Sequence, residues 1–453
     1  MKFTQLLPFV SLASGFVITE PEVFQAIENT ERQLVRSTQS VLDNALAKAS
    51  NTFKNVGENL YHKVHEVGCD VDSWLEGSPI YDSFAGLNED PHHPPHDGPH
   101  HEGPRHPPHS GKPNQTVYEL ISKSKYTTKL AELIDEYPDL VKTLNSTKAN
   151  YTIFAPTDEA FEKIPKHHEK PSKEFLKNVL LYHVTDSLYP AGRVLHSYTI
   201  PTLYEPEKNL GHKQRLTVRV TLRGPTINFY SRIVAVNIFG TNGVIHGIDS
   251  ILVPPPRVAT IIDLLPGEFS TLELGLSKTD LFDKLNSTEY PHQGGTFFAP
   301  SNFAFKKLGP KINAFLFSPY GLKYLKALLE YHMIVNQTLY TDAFYDATDD
   351  DKKPETTDRP PYFHFDLPTV LEGKYLAVDV ARYGPFVEIR INGFSRVTVH
   401  DGVASDGVIQ VVSDVLIPPK NAAGEQANWE GEMMSVGELK ERLEPFVKES
   451  LEL

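Results

Sequence analysis

The chain has 453 residues, 40% of them hydrophobic and 10% aromatic, which fits about three domains with real cores and excludes wholesale disorder. Forty-four basic residues stand against 58 acidic ones, a formal net charge of −14. With no compensating basic stripe, that balance repels a phosphate backbone and excludes nucleic acid as a partner. A single cysteine, Cys69, excludes a disulfide framework and reads as a free thiol or, as the alternative, an intermolecular bridge.

Residues 1–18, MKFTQLLPFVSLASGFVI, place Lys2 before an apolar run and small residues after it, the pattern of a secretory signal peptide. Residues 19–87 read as a helical region. Leu42, Leu46, Ala49, Phe53, Val56, Leu60 and Val64 fall three and four apart, a seam suited to docking on the rest of the chain or on another helix. Residues 88–113 form a His/Pro-rich spacer, with seven histidines between Asp90 and Ser110. Proline favours extended chain there. Neutral imidazoles of His92, His93, His96, His100 and His101 can hold Zn²⁺ or Cu²⁺ weakly, and the tract gains charge as pH falls through about 6.5. No other cofactor is implied. Asn114, Asn145, Asn150, Asn286 and Asn336 open N-x-S/T sequons, acceptors for glycans in a secreted chain. No later segment approaches the ~18 apolar residues of a membrane span, and the charged C-terminus lacks the apolar tail of a glycolipid anchor.

The rest of the chain is a duplication. YTIFAPTDEAF (Tyr151–Phe161) matches GTFFAPSNFAF (Gly295–Phe305). LYHV (Leu181–Val184) matches EYHM (Glu330–Met333), and SLY (Ser187–Tyr189) matches TLY (Thr338–Tyr340). GVIHGIDSILVPP (Gly243–Pro255) matches GVIQVVSDVLIPP (Gly407–Pro419). Blocks in one order make two domain-sized copies, residues 114–256 and 257–420, followed by a tail over 421–453. Leu130, Leu133, Ile134, Tyr137 and Val141 lie on one face of a helical stretch predicted over Thr128–Leu144. Leu216, Val218, Val220 and Leu222 alternate with polar residues, predicting a half-buried strand broken at Gly224-Pro225 and resumed over Ile227–Tyr230. A similar hairpin is predicted about Gly384-Pro385. Thr157 and Ser301 follow the FAP strands as candidate helix caps. Each copy is therefore α+β, helices on a curved, mostly antiparallel sheet. In the tail, Ser435 and Glu438 resemble a capping box before a short helix that Pro445 interrupts.

These blocks resemble the fasciclin domain. Thr152–Phe161 and Thr296–Phe305 match its T-x-F-A-P-[ST]-[DN]-x-A-F motif, and Asn242–Pro254 matches its second, N-G-x-I-H-x-I-D-x-V-L-x-P. The Tyr-His pair between them corresponds to Tyr182-His183 and Tyr331-His332. The layout is similar to fungal secreted members. The resemblance implies two β-sandwich-like wedges with flanking helices, and a role in adhesion or matrix interaction. It points to Tyr182, His183, Tyr331 and His332 as binding candidates, with a cell-surface or matrix protein, a glycan or a second copy as partner. The second copy departs from the pattern at Gln410 and Ser413, which replace His246 and Asp249, and in an insertion, Asp342–Arg359, read as a solvated charged loop.

No catalytic constellation stands: there is no G-x-S-x-G, H-E-x-x-H or phosphate loop, and His183, His246 and His332 read as core histidines. The sequence predicts a non-enzymatic, secreted, glycosylated adhesion protein. The alternative is a lumenal vacuolar factor with an acid- or metal-responsive histidine spacer.

Overall fold

The computed structural model describes residues 74–75, 113–164, 171–206, 210–221, 224–286, 292–347, 355–356, 362–383, 386–422, 425–427, 429, 431 and 434–449. All belong to one unit, Lys63–Leu453. The predicted signal peptide, the predicted Leu42–Val64 seam, Cys69, the histidine tract and the Asp349–Lys353 charge run lie outside the described residues.

The first copy opens with helices α1 (Val117–Lys123), α2 (Thr128–Asp135) and α3 (Pro138–Leu144). Thr116 caps α1 in a full capping box with Glu119, satisfying amides that a helix start leaves free. The stretch predicted as one helix is two. Pro138 lacks an amide hydrogen, so it cannot continue α2 and instead takes the first position of α3. Strand β1 (Tyr151–Pro156) is followed by α4 (Asp158–Glu162), α5 (Lys173–Tyr182), β2 (Val184–Thr185), α6 (Ala191–His196), β3 (Thr199–Pro201), β4 (Arg215–Thr221), β5 (Gly224–Ile227), β6 (Ser231–Gly240) and β7 (Gly243–Ile248). Gly224-Pro225 opens β5 rather than breaking a strand, and Asn228–Tyr230 is a turn rather than its continuation; the predicted break at Gly384-Pro385 lies outside the described residues.

The second copy repeats this with α7 (Val258–Leu264), α8 (Pro266–Lys278), α9 (Leu281–Asn286), β8 (Gly295–Pro300), α10 (Asn302–Lys307), α11 (Pro310–Leu316), α12 (Leu322–Glu330) and β9 (Met333–Val335). Strands β10 (Gln337–Leu339), β11 (Ala343–Asp346) and β12 (Glu355–Thr356) form a small separate sheet. Then come β13 (Tyr362–Pro368), β14 (Tyr375–Tyr383), β15 (Phe386–Ile391), β16 (Ser395–Ala404) and β17 (Gly407–Val412).

Each copy builds a seven-stranded sheet in the same order, β2-β1-β7-β6-β5-β4-β3 and β9-β8-β17-β16-β15-β14-β13. One pair in each is parallel, β1 with β7 and β8 with β17; the other ladders are antiparallel. Every residue of the parallel strands is buried, which is why the FAP and GVI blocks read as continuous apolar runs rather than alternations. At Gly243 an added Cβ would stand 2.1 Å from the Tyr151 carbonyl oxygen, so only glycine fits that close approach. Helix α13 (Val436–Glu449) closes the second core with Leu439, Leu443 and Val447. Pro445 does not end it, since the helix carries the proline inside.

Candidate functional site

The Tyr-His pairs end helices α5 and α12, and their side chains point inward. His183 Nδ1 lies 2.7 Å from the Val179 carbonyl, and its Nε2 accepts from the Leu252 amide at 2.9 Å. His332 does the same with the Leu328 carbonyl at 2.8 Å and the Leu416 amide at 2.8 Å. One ring nitrogen donates and the other accepts, so each imidazole is held neutral. Burial pushes both down to about 4, against the pull of the backbone carbonyl. The Tyr182 hydroxyl donates to the Arg215 carbonyl and accepts from Asn228 at 2.8 Å; that of Tyr331 donates to the Tyr375 carbonyl and accepts from Asn392 at 3.0 Å. All four residues are buried. They fasten helix, sheet and closing loop together, and present no side-chain surface to a partner.

The apparent degeneration of the second copy preserves these bonds. His246 lies 2.8 Å from the Tyr189 carbonyl and accepts from the Asn237 amide at 3.4 Å. Gln410 donates to the Leu339 carbonyl at 2.9 Å and accepts from the Asp401 amide at 3.1 Å. Asp249 accepts from the Arg232 amide, and Ser413 from the Arg396 amide. Asn242 accepts from Val117 at the start of α1, and Asp406 from Val258 at the start of α7. Each replacement keeps an acceptor, or a donor and acceptor, at the same place, so the motif is a hydrogen-bonding frame rather than a reactive constellation.

Between the copies lies a buried polar seam that sequence reasoning missed. Arg215 and Thr217, the polar alternates of β4, are 7% and 0% exposed. The second copy covers the face assigned to water. Asp342, at the start of the insertion, accepts from the amides of Tyr198 (3.1 Å) and Thr199 (2.8 Å), takes the Thr199 hydroxyl, and lies 3.5 Å from Arg215. The solvated-loop reading therefore fails for Asp342, because β3 offers it unpaired edge amides and Arg215 a counter-charge. Arg215 also donates to the Tyr345 hydroxyl at 3.1 Å, and the His212 ring stacks on Tyr345 at 3.8 Å. Gln214, Thr217 and Arg219 donate to the carbonyls of Ala404, Asp401 and His400. Burial lifts the Asp342 carboxyl above its ordinary value despite Arg215. Burial would raise Asp401 as well, but hydrogen bonds from His400 and Thr341 hold it below. The one available signal was an acid two residues after the TLY block, TLYTD against SLYPA. Alternation alone cannot reveal that a strand's second face is covered by another domain.

The outer surface carries the other predicted positions. Asn114, Asn145, Asn150 and Asn286 are exposed. Asn336 is half-buried and accepts from the Gln293 amide at 2.8 Å. The five tract histidines lie outside the described residues, and among the described residues no cluster of three or more His, Cys, Asp or Glu is disposed to hold a metal. No described helix is long and apolar enough to cross a membrane. One corner of the second copy is conspicuously apolar. Phe303 is 62% exposed, with Leu264 at 64% and Leu265 at 49%. Asn302 ties this corner together, donating to the carbonyls of Pro266 and Gly267 and accepting from the Thr271 amide. Lys307 lies over the Phe303 ring at 5.3 Å. The matching residue of the first copy is the exposed Glu159.

The fasciclin domain family matches residues 125–254 and 267–418. The chain is similar to aurofusarin biosynthesis cluster protein S of Gibberella zeae, 29% identical over 74% of this chain and 85% of that one. It is also similar to transforming growth factor-beta-induced protein ig-h3 of Sus scrofa, 28% identical over 62% of this chain but 35% of that one, so it spans about a third of that animal relative. A solved FAS1 domain pair from the insect cell adhesion molecule fasciclin I matches 64% of this chain and 96% of its own, at 19% identity and a TM-score of 0.32.

Proposed function

The chain belongs to the fasciclin-domain family, a non-catalytic adhesion fold, and on that premise we propose that it is a secreted glycoprotein that binds a cell-surface or matrix partner through the second copy. The observation that carries this reading is the apolar corner of Phe303, Leu264 and Leu265. Exposed aromatic and leucine side chains grouped at one place mark an interaction surface, whereas isolated ones do not. The first copy has Glu159 at the position of Phe303, so the two copies are not equivalent as binders. The buried Tyr-His pairs act in this reading by holding the frame that presents the corner. The sequons at Asn114, Asn145, Asn150 and Asn286, on exposed positions, suit glycans that stand in water away from the seam.

Purified protein added to source cells or their matrix is expected to be retained. The Phe303→Glu variant is expected to lose retention at least tenfold while keeping its unfolding midpoint. A variant that binds like wild type, or a wild-type protein that binds no surface, wall polymer or copy of itself, refutes the assignment. Digestion with glycosidase tests the sequons through the mass shift.

A further inference from the structure

Trp74 lies some forty residues before the first copy begins, yet its side chain is 1% exposed and packs in that copy's core. Its ring stands 5.7 Å from that of Tyr126. The Trp74 carbonyl accepts from the Ser124 hydroxyl at 2.7 Å and the Leu75 carbonyl from the Lys125 amide at 3.4 Å, so two successive carbonyls are read as well as the ring. The space for the indole comes from missing side chains. A Cβ on Gly247 would meet Trp74 Cζ3 at 3.0 Å and Cη2 at 3.3 Å, with the Ala235 methyl also at 3.0 Å. The second copy has side chains at both places, one of them buried and one 37% exposed. Gly247 pairs with Ala155 and Ala235, while its counterpart Val411 pairs with Ala299 and Val399. Glycine and alanine stand in one copy where the other has two valines.

We propose that the first copy carries an indole-binding pocket, formed by Gly247, Ala235, Tyr126 and Ser124, whose ligand is a tryptophan-bearing segment with two free carbonyls, filled in this chain by Trp74. In the second copy valines stand at the positions of Gly247 and Ala235. The indole Nε1 is buried with no hydrogen-bond partner among the described residues, so the pocket selects ring size and shape, not the ring N–H. The consequence is a non-covalent attachment. The N-terminal region is joined to the first copy once through the chain, residues 76–112, and once through Trp74. Cutting the chain between them leaves the second joint intact. This inference is independent of the adhesion reading, since neither Phe303 nor its neighbours take part.

The test places a site-specific protease sequence within residues 90–110 of the full chain. After cleavage, the N-terminal fragment is expected to co-elute with the body on size exclusion, and in the Trp74→Ala variant to separate from it. Separation from the wild-type body, or retention by the Trp74→Ala body, overturns the proposal. A second measurement reads the pocket directly. A synthetic peptide of residues 63–82 is expected to bind the Trp74→Ala chain and to be excluded at least tenfold from wild type, where the pocket is filled. Equal binding to both chains, or to neither, is the overturning result. In the Trp429→Phe chain, Trp74 is the sole tryptophan; its emission is expected to be blue-shifted and shielded from acrylamide, and a red-shifted, freely quenched emission overturns the proposal.

Discussion

Lowering the pH from 7.5 to 5 should destabilise this fold steeply, and the reason lies in the motif histidines. His183, His246 and His332 are held neutral by backbone partners, and burial takes each from 6.5 to about 4. A base depressed in the folded state leaves stability whole above its unfolded value. That stability is lost as pH falls through the window from 6.5 to about 4, where only the unfolded chain takes the proton. At about 1.36 kcal/mol per pH unit, each histidine removes about 2 kcal/mol at pH 5. The three together remove about 6 kcal/mol, comparable to the whole stability of many domains. His183 and His246 belong to the first copy and His332 to the second, so the first copy carries the larger share of the acid sensitivity. Asp342 and Asp406 oppose this, since burial raises both and protonation relieves that burial. A single-site comparison therefore isolates the effect. Gln410 already does the work of His246 in the second copy, donating to one carbonyl and accepting from one amide. His246→Gln should keep neutral stability within about 1.5 kcal/mol, as shape-conserving replacements do, and lose about 2 kcal/mol of the pH dependence. Urea unfolding followed by circular dichroism at pH 7.5, 6 and 5 reads both quantities. Equal midpoints for wild type at pH 7.5 and 5, or an unchanged pH slope in the variant, would refute the reasoning. The outcome also bears on compartment: a fold with this dependence is poorly suited to an acidic lumen.

Other perturbations test other parts of the argument. Asp342→Ala leaves Arg215 buried without its counter-charge and should cost about 3–5 kcal/mol, whereas Arg215→Met with Asp342→Leu should cost less than the single change; thermal unfolding of the three chains decides it. Small-angle scattering should show the two copies loosening in the single variant only. Trp74→Ala removes a fully buried ring and should cost about 3–5 kcal/mol, read as a lower melting temperature for the first copy. Phe303→Glu changes an exposed side chain and should stay within about 0.5 kcal/mol of wild type, so any loss of surface binding reports the surface itself.

Sequence and structure agree where a residue's neighbours are set by local pattern or by the repeat. The continuous apolar runs Tyr151–Pro156 and Gly243–Ile248 announce strands covered on both faces, and they pair with each other in parallel. The histidines read as core residues are core residues, because an imidazole following an apolar stretch must find its partners in the backbone. Disagreement begins where burial comes from a distant part of the chain. Nothing in RLTVRVTLR says that Arg215 and Thr217 face a second domain rather than water, and nothing near Asp342 says that its carboxylate accepts from the amides of Tyr198 and Thr199 where β3 begins. Those facts need the two copies placed against each other. Trp74 is the same case over a longer reach, since its pocket is written in what Gly247 and Ala235 lack.

The duplication explains how these differences could accumulate without loss of the fold. Each frame position needs only a hydrogen-bonding capacity at a fixed place, so His246 can stand as Gln410, Asp249 as Ser413 and Asn242 as Asp406. Positions outside the frame are then free to diverge in opposite directions in the two copies. The first copy has Ala235 and Gly247 and accepts an indole; the second has valine at both places and Phe303 on its surface. One copy has turned its spare capacity inward, to hold a segment of its own chain, and the other outward, to present an apolar corner. The seam holds the copies together, because the Asp342 carboxylate meets its amides and Arg215 its counter-charge only when both copies are present. A binding function that needs the corner of the second copy therefore also depends on the first, through the polar groups buried between them.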